Sequence, residues 1–300
     1  MQLFNQLVVA ALPVVPKSVV KIVAKRYIAG AALGDAVRVT QNLMSKGIGS
    51  TIDVLGEFVT ERSRALHETS MSRDVVDAIK RHTLDSYLSI KPTSLGLGID
   101  FDFAYENIRG VVAAARERGV FVRMDMENTP YTDATLDVYR RLRRDGFDNL
   151  GVVIQAYLRR SEQDIRSLLD YAPSVRLCKG IYVEDASVAF KDADEIRRSY
   201  RSLLRLLVDG GATPHIATHD EVLIADAEGL VRERRLDRMQ YEFQMLLGVR
   251  EDRRDQLVRN GHRMRIYVPF GEDWYGYSTR RLKENPQVAG YVAKAILTGR

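Results

Sequence analysis

The stretch from Arg265 to Pro286, Arg-Ile-Tyr-Val-Pro-Phe-Gly-Glu-Asp-Trp-Tyr-Gly-Tyr-Ser-Thr-Arg-Arg-Leu-Lys-Glu-Asn-Pro, carries side chains suited to gripping a small carboxylate. An apolar alternating run containing Tyr267 stops at Pro269-Phe-Gly271; the chain's only Trp, two further Tyr residues and the pair Arg280-Arg281 follow. A guanidinium fork binds a carboxylate bidentately, and aromatic faces pack a ligand's carbon body. An Arg pair alone says little. Seven Arg-Arg dipeptides occur, beginning at 140, 143, 159, 197, 234, 253 and 280, and most belong to solvated faces. The last keeps different company. Arg280 follows Tyr277 by three residues, so on a helix the two share a face and reach one ligand.

Further candidates lie upstream. In the run 121–127, Val122, Met124 and Met126 alternate with Arg123, Asp125 and Glu127, whereas a buried barrel strand is usually apolar on both faces. Asp125 with Glu127 could be an acid–base pair or an internal salt bridge with Arg123. Lys91, Gln155, Lys179, His219, Gln244 and Tyr267 fall at or near the ends of other strand-like segments. Lys91 or Lys179 could form a Schiff base, or could pair with a carboxylate or a bound phosphate. His215 and His219 would lie ~13 Å apart on a strand, too far for one ion, and the Glu of HExxH is missing, so a metal is not expected. Cys178 has no partner Cys or catalytic His in the pattern and reads as a core thiol.

The elements that must position these residues alternate along the chain. Strand-like runs occupy 51–55, 86–91, 121–126, 150–157, 175–181, 213–218, 239–246 and 263–268, with amphipathic stretches between them, such as Tyr105 to Arg118, Ser161 to Tyr171, Asp194 to Leu207 and Glu251 to Asn260. Ser161 with Asp164 reads as a helix start, and Gly119 and Gly261 as helix stops. Eight strands alternating with helices and no low-complexity linker predict an α/β fold, a single (β/α)8 TIM-type barrel over 47–300 preceded by an N-terminal helical arm, 1–46. A doubly wound sheet is the runner-up, but Gly47-Ile-Gly49 and Gly96-Leu-Gly98 lack the third Gly and the setting of a phosphate turn. In a barrel, polar strand ends on the inner face gather where such folds build active sites.

Composition narrows the partners. The 300 residues are 45% hydrophobic, and 45 basic against 40 acidic residues give a net charge of +5, mixed along the chain rather than clustered. Mixed charge and no recognised nucleic-acid motif exclude a polyanion track, so no nucleic-acid partner is expected. One Cys cannot form an intramolecular disulfide and fits a reducing, cytoplasmic setting. The apolar start MQLFNQLVVAALPVVPKSVV has no basic leader region and two prolines. It predicts a packing arm rather than a signal peptide or a spanning helix, and a basic chain tolerates peripheral contact with the inner face of the cell membrane.

Seven ordered blocks, SIKPTSLG (89–96), VRMDMEN (122–128), LGVVIQAYLRRSEQD (150–164), VRLCKGIYVE (175–184), IATHD (216–220), YEFQMLLGVR (241–250) and the Arg265–Pro286 stretch, resemble the bacterial monofunctional proline dehydrogenases. The resemblance covers most of residues 45–286. It implies a barrel that holds FAD without a Rossmann motif and whose last helix lies over the mouth. It further implies oxidation of L-proline to Δ1-pyrroline-5-carboxylate by hydride transfer to flavin N5 from a neutral amine, with activity rising with pH. Electrons would pass to a membrane quinone, and the product to a downstream pyrroline-5-carboxylate dehydrogenase.

The same resemblance assigns roles. The substrate carboxylate would pair with Arg280, Arg281 and Lys91, with Tyr277, Tyr267 and Leu246 around the ring. Asp125 would sit at the flavin and support Arg280 or Lys91, and Glu284 would brace the arginines. Gln155, Arg176, Lys179, Thr218, His219 and Gln244 match the cofactor pattern, with Arg176 near the reactive nitrogen and Lys179 near the pyrophosphate. The chain departs from the family pattern at Gly276, Ser278, Thr279 and Ile181, which bears on affinity and on the choice between proline and 4-hydroxyproline; Tyr267 favours proline. Outside the resemblance, a flavin-free Schiff-base lyase is the alternative.

Overall fold

The computed structural model describes residues 26–275. Eight parallel strands close into a barrel in chain order, with β8 pairing β1. They are β1 (Gly49–Val54), β2 (Ser86–Ile90), β3 (Val122–Met124), β4 (Leu150–Gln155), β5 (Ser174–Cys178), β6 (Thr213–Ala217), β7 (Glu242–Leu246) and β8 (Met264–Phe270). The helices are α1 (Leu33–Met44), α2 (Arg62–Arg81), α3 (Phe101–Glu117), α4 (Thr132–Arg144), α5 (Ser161–Arg166), α6 (Ala193–Asp209), α7 (Glu221–Arg234) and α8 (Glu251–Arg259). This is the expected (β/α)8 fold. Buried parallel strands alternating with one-sided helices need both sheet faces covered, and here the sheet closes on itself rather than staying open. Among the described residues no helix is long and apolar enough to cross a membrane.

The expected helix punctuation is present. Gly119 and Gly261 follow the ends of α3 and α8 at φ 69° and 86°, a left-handed conformation that a side chain disfavours. Asp192 and Asp220 cap α6 and α7 by accepting from backbone N–H groups. Ser161 is the first residue of α5, as expected, and its hydroxyl donates to the Gln155 carbonyl at 2.6 Å. The run 239–246 becomes strand only at Glu242, because Asp237 caps a short 3-10 turn over Arg238–Gln240. The run 121–126 is strand only over Val122–Met124.

The described part of the 1–46 arm contains α1, which packs its buried face of Ala36, Val37, Thr40 and Leu43 over β8 and β1, across the seam where the barrel closes. Just before it, Ala29 donates to the Pro269 carbonyl and Gly30 accepts from Gly271, so the chain crosses the top of β8 before α1 begins. The rest of the arm, and the last helix expected over the mouth with Tyr277, Arg280, Arg281 and Glu284, lie outside the described residues.

The barrel floor is polar, where branched aliphatics are the common filling. Arg265 reaches Glu242, the Ser50 carbonyl and Asp85, with its guanidinium 3.6 Å from the centre of the Tyr87 ring. Arg123 donates to the carbonyls of Val152 and Ser174 and bonds His215 Nδ1 at 3.0 Å. The internal salt bridge weighed for Arg123 with Asp125 or Glu127 is therefore not formed. Asp125 turns to a different arginine, and Glu127 lies beyond the end of β3, where strand alternation no longer places it.

Candidate active site

At the C-terminal end of the strands the described residues line a cavity of about 930 Å3. All ten described residues to which the resemblance assigns a substrate or cofactor role are on its wall, Lys91, Asp125, Gln155, Arg176, Lys179, Thr218, His219, Gln244, Leu246 and Tyr267, whereas Arg123, Glu127 and His215, also weighed in the sequence, are not. They come from seven strands, β2 to β8, or from the residues just after them. Met126, Val153, Ile181 and Met245 supply apolar wall between the polar groups.

A hydrogen-bonded chain links floor to mouth. Gln244 donates to Glu242 Oε1 at 2.8 Å and to His215 Nδ1 at 2.9 Å. These two acceptors turn the amide oxygen towards Arg176, whose Nε donates to it at 2.7 Å. Arg176 Nη1 then pairs with Asp125 Oδ1 at 2.7 Å, and the Tyr267 hydroxyl donates to Asp125 Oδ2 at 3.1 Å. The guanidinium of Arg176 also lies 5.3 Å from the Tyr267 ring centre. Burial and then the positive charges of Arg123, Arg265 and Arg176 hold His215 well below the usual imidazole range. A neutral His215 can accept at Nδ1, as this network requires.

Lys91 is held from the other side of the barrel. Its Nζ donates to Asp53 Oδ1 at 2.6 Å. Burial opposes the ammonium charge, but Asp53 and then Asp125 outweigh it and keep Lys91 above the ordinary lysine range. The bonded partner of Lys91 is Asp53, and Asp125, expected to support Lys91 or Arg280, acts on it only through space. Burial pushes Asp53 itself up to about 6, with Lys91 pulling down and Asp125 pushing up.

Other expected residues have local partners as well. Lys179 Nζ lies 3.3 Å from Asp220. His219 Nε2 accepts from the backbone N–H of Leu246 at 3.0 Å, while Arg250 donates to the His219 carbonyl. Gln155 Nε2 donates to the Glu127 carbonyl at 2.8 Å. Gly180 sits at φ 113°, and a Cβ there would meet the Tyr157 ring. The backbone after Lys179 can follow its path only with glycine.

Sequence reasoning missed Asp53, Glu57, Arg26 and Tyr27; the last three line the cavity. Asp53 carried the same signal as Asp125, a charge near the end of a strand-like run. Arg26 and Tyr27 had none, because only the closed fold brings the segment before α1 to the mouth. There the Arg26 Nε donates to the Gly248 carbonyl at 3.0 Å. Among the described residues no group of three His, Cys, Asp or Glu side chains could hold a metal ion.

Known proteins are similar to this chain over most of its length. A family profile described as proline dehydrogenase matches residues 36–294. Proline dehydrogenase 1 of Bacillus subtilis (strain 168) is 39% identical over 274 residues, covering 91% of this chain and 90% of that protein. Proline dehydrogenase of Deinococcus radiodurans is 36% identical over 280 residues, covering 92% and 90%. Among solved structures, proline utilization A from Bdellovibrio bacteriovorus, inactivated by N-propargylglycine, superposes with a TM-score of 0.82 at 26% identity. That match covers 88% of this chain and 32% of the other, so the chain spans about a third of that larger protein. The family profile and the near full-length identity lead to one conclusion: this chain belongs to the proline dehydrogenase family of oxidoreductases.

Proposed function

We propose that the chain oxidises L-proline to Δ1-pyrroline-5-carboxylate, with FAD bound in the mouth cavity as the immediate electron acceptor and a quinone as the next. The observation that carries this reading is the convergence on one cavity of the ten described residues to which the family resemblance assigns a role. The family relatives support proline as the substrate.

The cavity fits a flavin. Its volume lies within the range of cofactor sites, about 300–1,000 Å3. Its wall offers amides from Gln155 and Gln244, cations from Arg176 and Lys179, and apolar side chains between them. Bound there, FAD would supply the two-electron chemistry that no side chain can. Gln155, Arg176, Lys179, Thr218, His219 and Gln244 would hold it. Lys91 would help orient the substrate carboxylate together with Arg280 and Arg281, which lie outside the described residues. Tyr267 and Leu246 would pack the ring, with Tyr267 fixed by its bond to Asp125. The apolar wall would exclude water. The substrate amine must be neutral when its carbon gives up hydride, so turnover should rise with pH.

The flavin-free lyase reading is weaker. A Schiff-base lysine must be a free amine to attack, whereas Lys91 is held charged by two carboxylates and Lys179 pairs with Asp220. The quinone, contact with the inner membrane face and hand-over to a pyrroline-5-carboxylate dehydrogenase belong to the same proposal.

The test is the visible spectrum of purified protein before and after proline is added without oxygen. The expected outcome is yellow protein that bleaches. Colourless protein that FAD cannot reconstitute would sink the reading.

A further inference from the structure

Among the described residues that line the mouth cavity, none comes from β1 itself. Yet β1 sends Asp53 into the barrel, 1% exposed, where Lys91 at the cavity wall is its main partner and Tyr267 a second, weaker one. The register explains the meeting. Asp53 lies beside Ser89 on β2, and Lys91 is two residues further along the same inward row. Pro269 of β8 flanks Asp53 on the other side, so both neighbouring strands fix the carboxylate.

An ammonium has three N–H donors on a four-carbon stem with free rotation. A lysine at a cavity wall keeps one position only if something behind it takes a donor. Asp53 Oδ1 does so at 2.6 Å, and the Lys91 side chain is 11% exposed as a result. Two donors remain for the cavity side. The other charged groups that act on Lys91 are Asp125 and Glu57. Asp125 is already engaged by Arg176 and Tyr267. The bond that Lys91 donates to Asp53 is the one that locates it, and Asp53 is the largest of the three carboxylate influences on its charge.

We propose that Asp53 is the positioning residue for Lys91, anchoring its ammonium so that it faces the substrate carboxylate. The proposal rests on the reading of the cavity as a proline site. Asp53 is not on the cavity wall and would act chiefly through Lys91, with Tyr267 as its lesser contact. Its removal should weaken substrate binding while leaving the rate of the bound complex nearly intact.

The experiment is a double-mutant cycle on the FAD-loaded protein, with Asp53→Ala, Lys91→Met and the pair, read as KM and kcat for proline. Asp53→Ala is expected to raise KM about tenfold, the scale of one charged hydrogen bond, with kcat within about threefold. In the Lys91→Met background the same change should move KM less than about twofold, because residues acting through one another are not additive. Asp53→Asn keeps an acceptor without the charge. It should fall between wild type and Ala, and it carries the test should the Ala protein not fold. Unchanged KM in both Asp53 variants, a fall in KM, or full additivity with Lys91→Met would overturn the proposal. Wild-type protein that does not oxidise proline would instead overturn the reading of the site and leave the Asp53–Lys91 bond to be judged by structure alone.

Discussion

Cys178 ends β5 and lines the mouth cavity, two residues after Arg176. Burial pushes its thiol up to about 12, against a smaller pull from Arg176. The thiolate is the nucleophile, so the thiol should be inert at ordinary pH despite its place at the cavity. Native protein at pH 8 is expected to take up iodoacetamide at least about 100-fold more slowly than unfolded protein. Mass spectrometry over time reads this directly, and rapid single-site labelling of native protein would refute it. At this scale the sequence was partly legible. Alternation around Asp125 marked a charge facing inward, and that needs only a strand's period of two. The partner of Lys91 was not legible, since Asp53 lies 38 residues away and meets it through the register of two strands.

The β2 and β3 ends are joined by a buried clip. Glu127 accepts from the Thr93 backbone N–H at 2.9 Å and from the Thr93 hydroxyl, and the Phe58 N–H donates to Thr93 Oγ1 at 2.9 Å. Burial pushes Glu127 up to about 7, against the bonds from Thr93. A carboxyl raised on folding stabilises the fold below its unfolded pKa, near 4.5, and that contribution is lost as pH rises through about 7. Above pH 7 the charged, buried group costs about 3 kcal/mol. Glu127→Gln, which keeps the shape without the charge, should therefore melt several degrees above wild type at pH 8 and level with it near pH 4.5. Thermal scans across this range check it; a gap that widens towards acid would show the sign to be wrong. The clip also shows why residues 121–127 misled the alternation argument. Periodicity located the strand, but its end at Met124 depends on where the loop after β2 docks.

Across the whole molecule, chemistry sits at the mouth and cohesion at the floor. The eight segments and their order were readable because parallel strands and one-sided helices each leave a period in the sequence. The closure of the barrel was not. α1 covers the β8–β1 seam from outside, and Arg265 spans it from inside, touching β7, β1 and the start of β2. The bond from Arg265 to the Ser50 carbonyl alone joins residues 215 positions apart. Glycine at position 49 makes room, since a Cβ there would meet the guanidinium at 2.8 Å. Burial works against the charge of Arg265, and Glu242, Tyr87 and Asp85 more than offset it. Arg265→Met would strip Glu242, itself 1% exposed, of its closest ion-pair partner and leave the partly exposed Arg263, 3.2 Å away, as its remaining cation. Breaking such a pair from one side costs about 3–5 kcal/mol, so the melting temperature should fall by about 10 °C. Adding Glu242→Gln removes the stranded charge but keeps an acceptor for Gln244, and should recover most of the loss. Below the melting range, KM for proline in Arg265→Met should stay within about threefold of wild type, because barrels separate a stabilising floor from a reacting mouth. A tenfold rise in KM at unchanged melting temperature would mean that the chain from Glu242 through Gln244 to Arg176 tunes the site rather than merely supporting it.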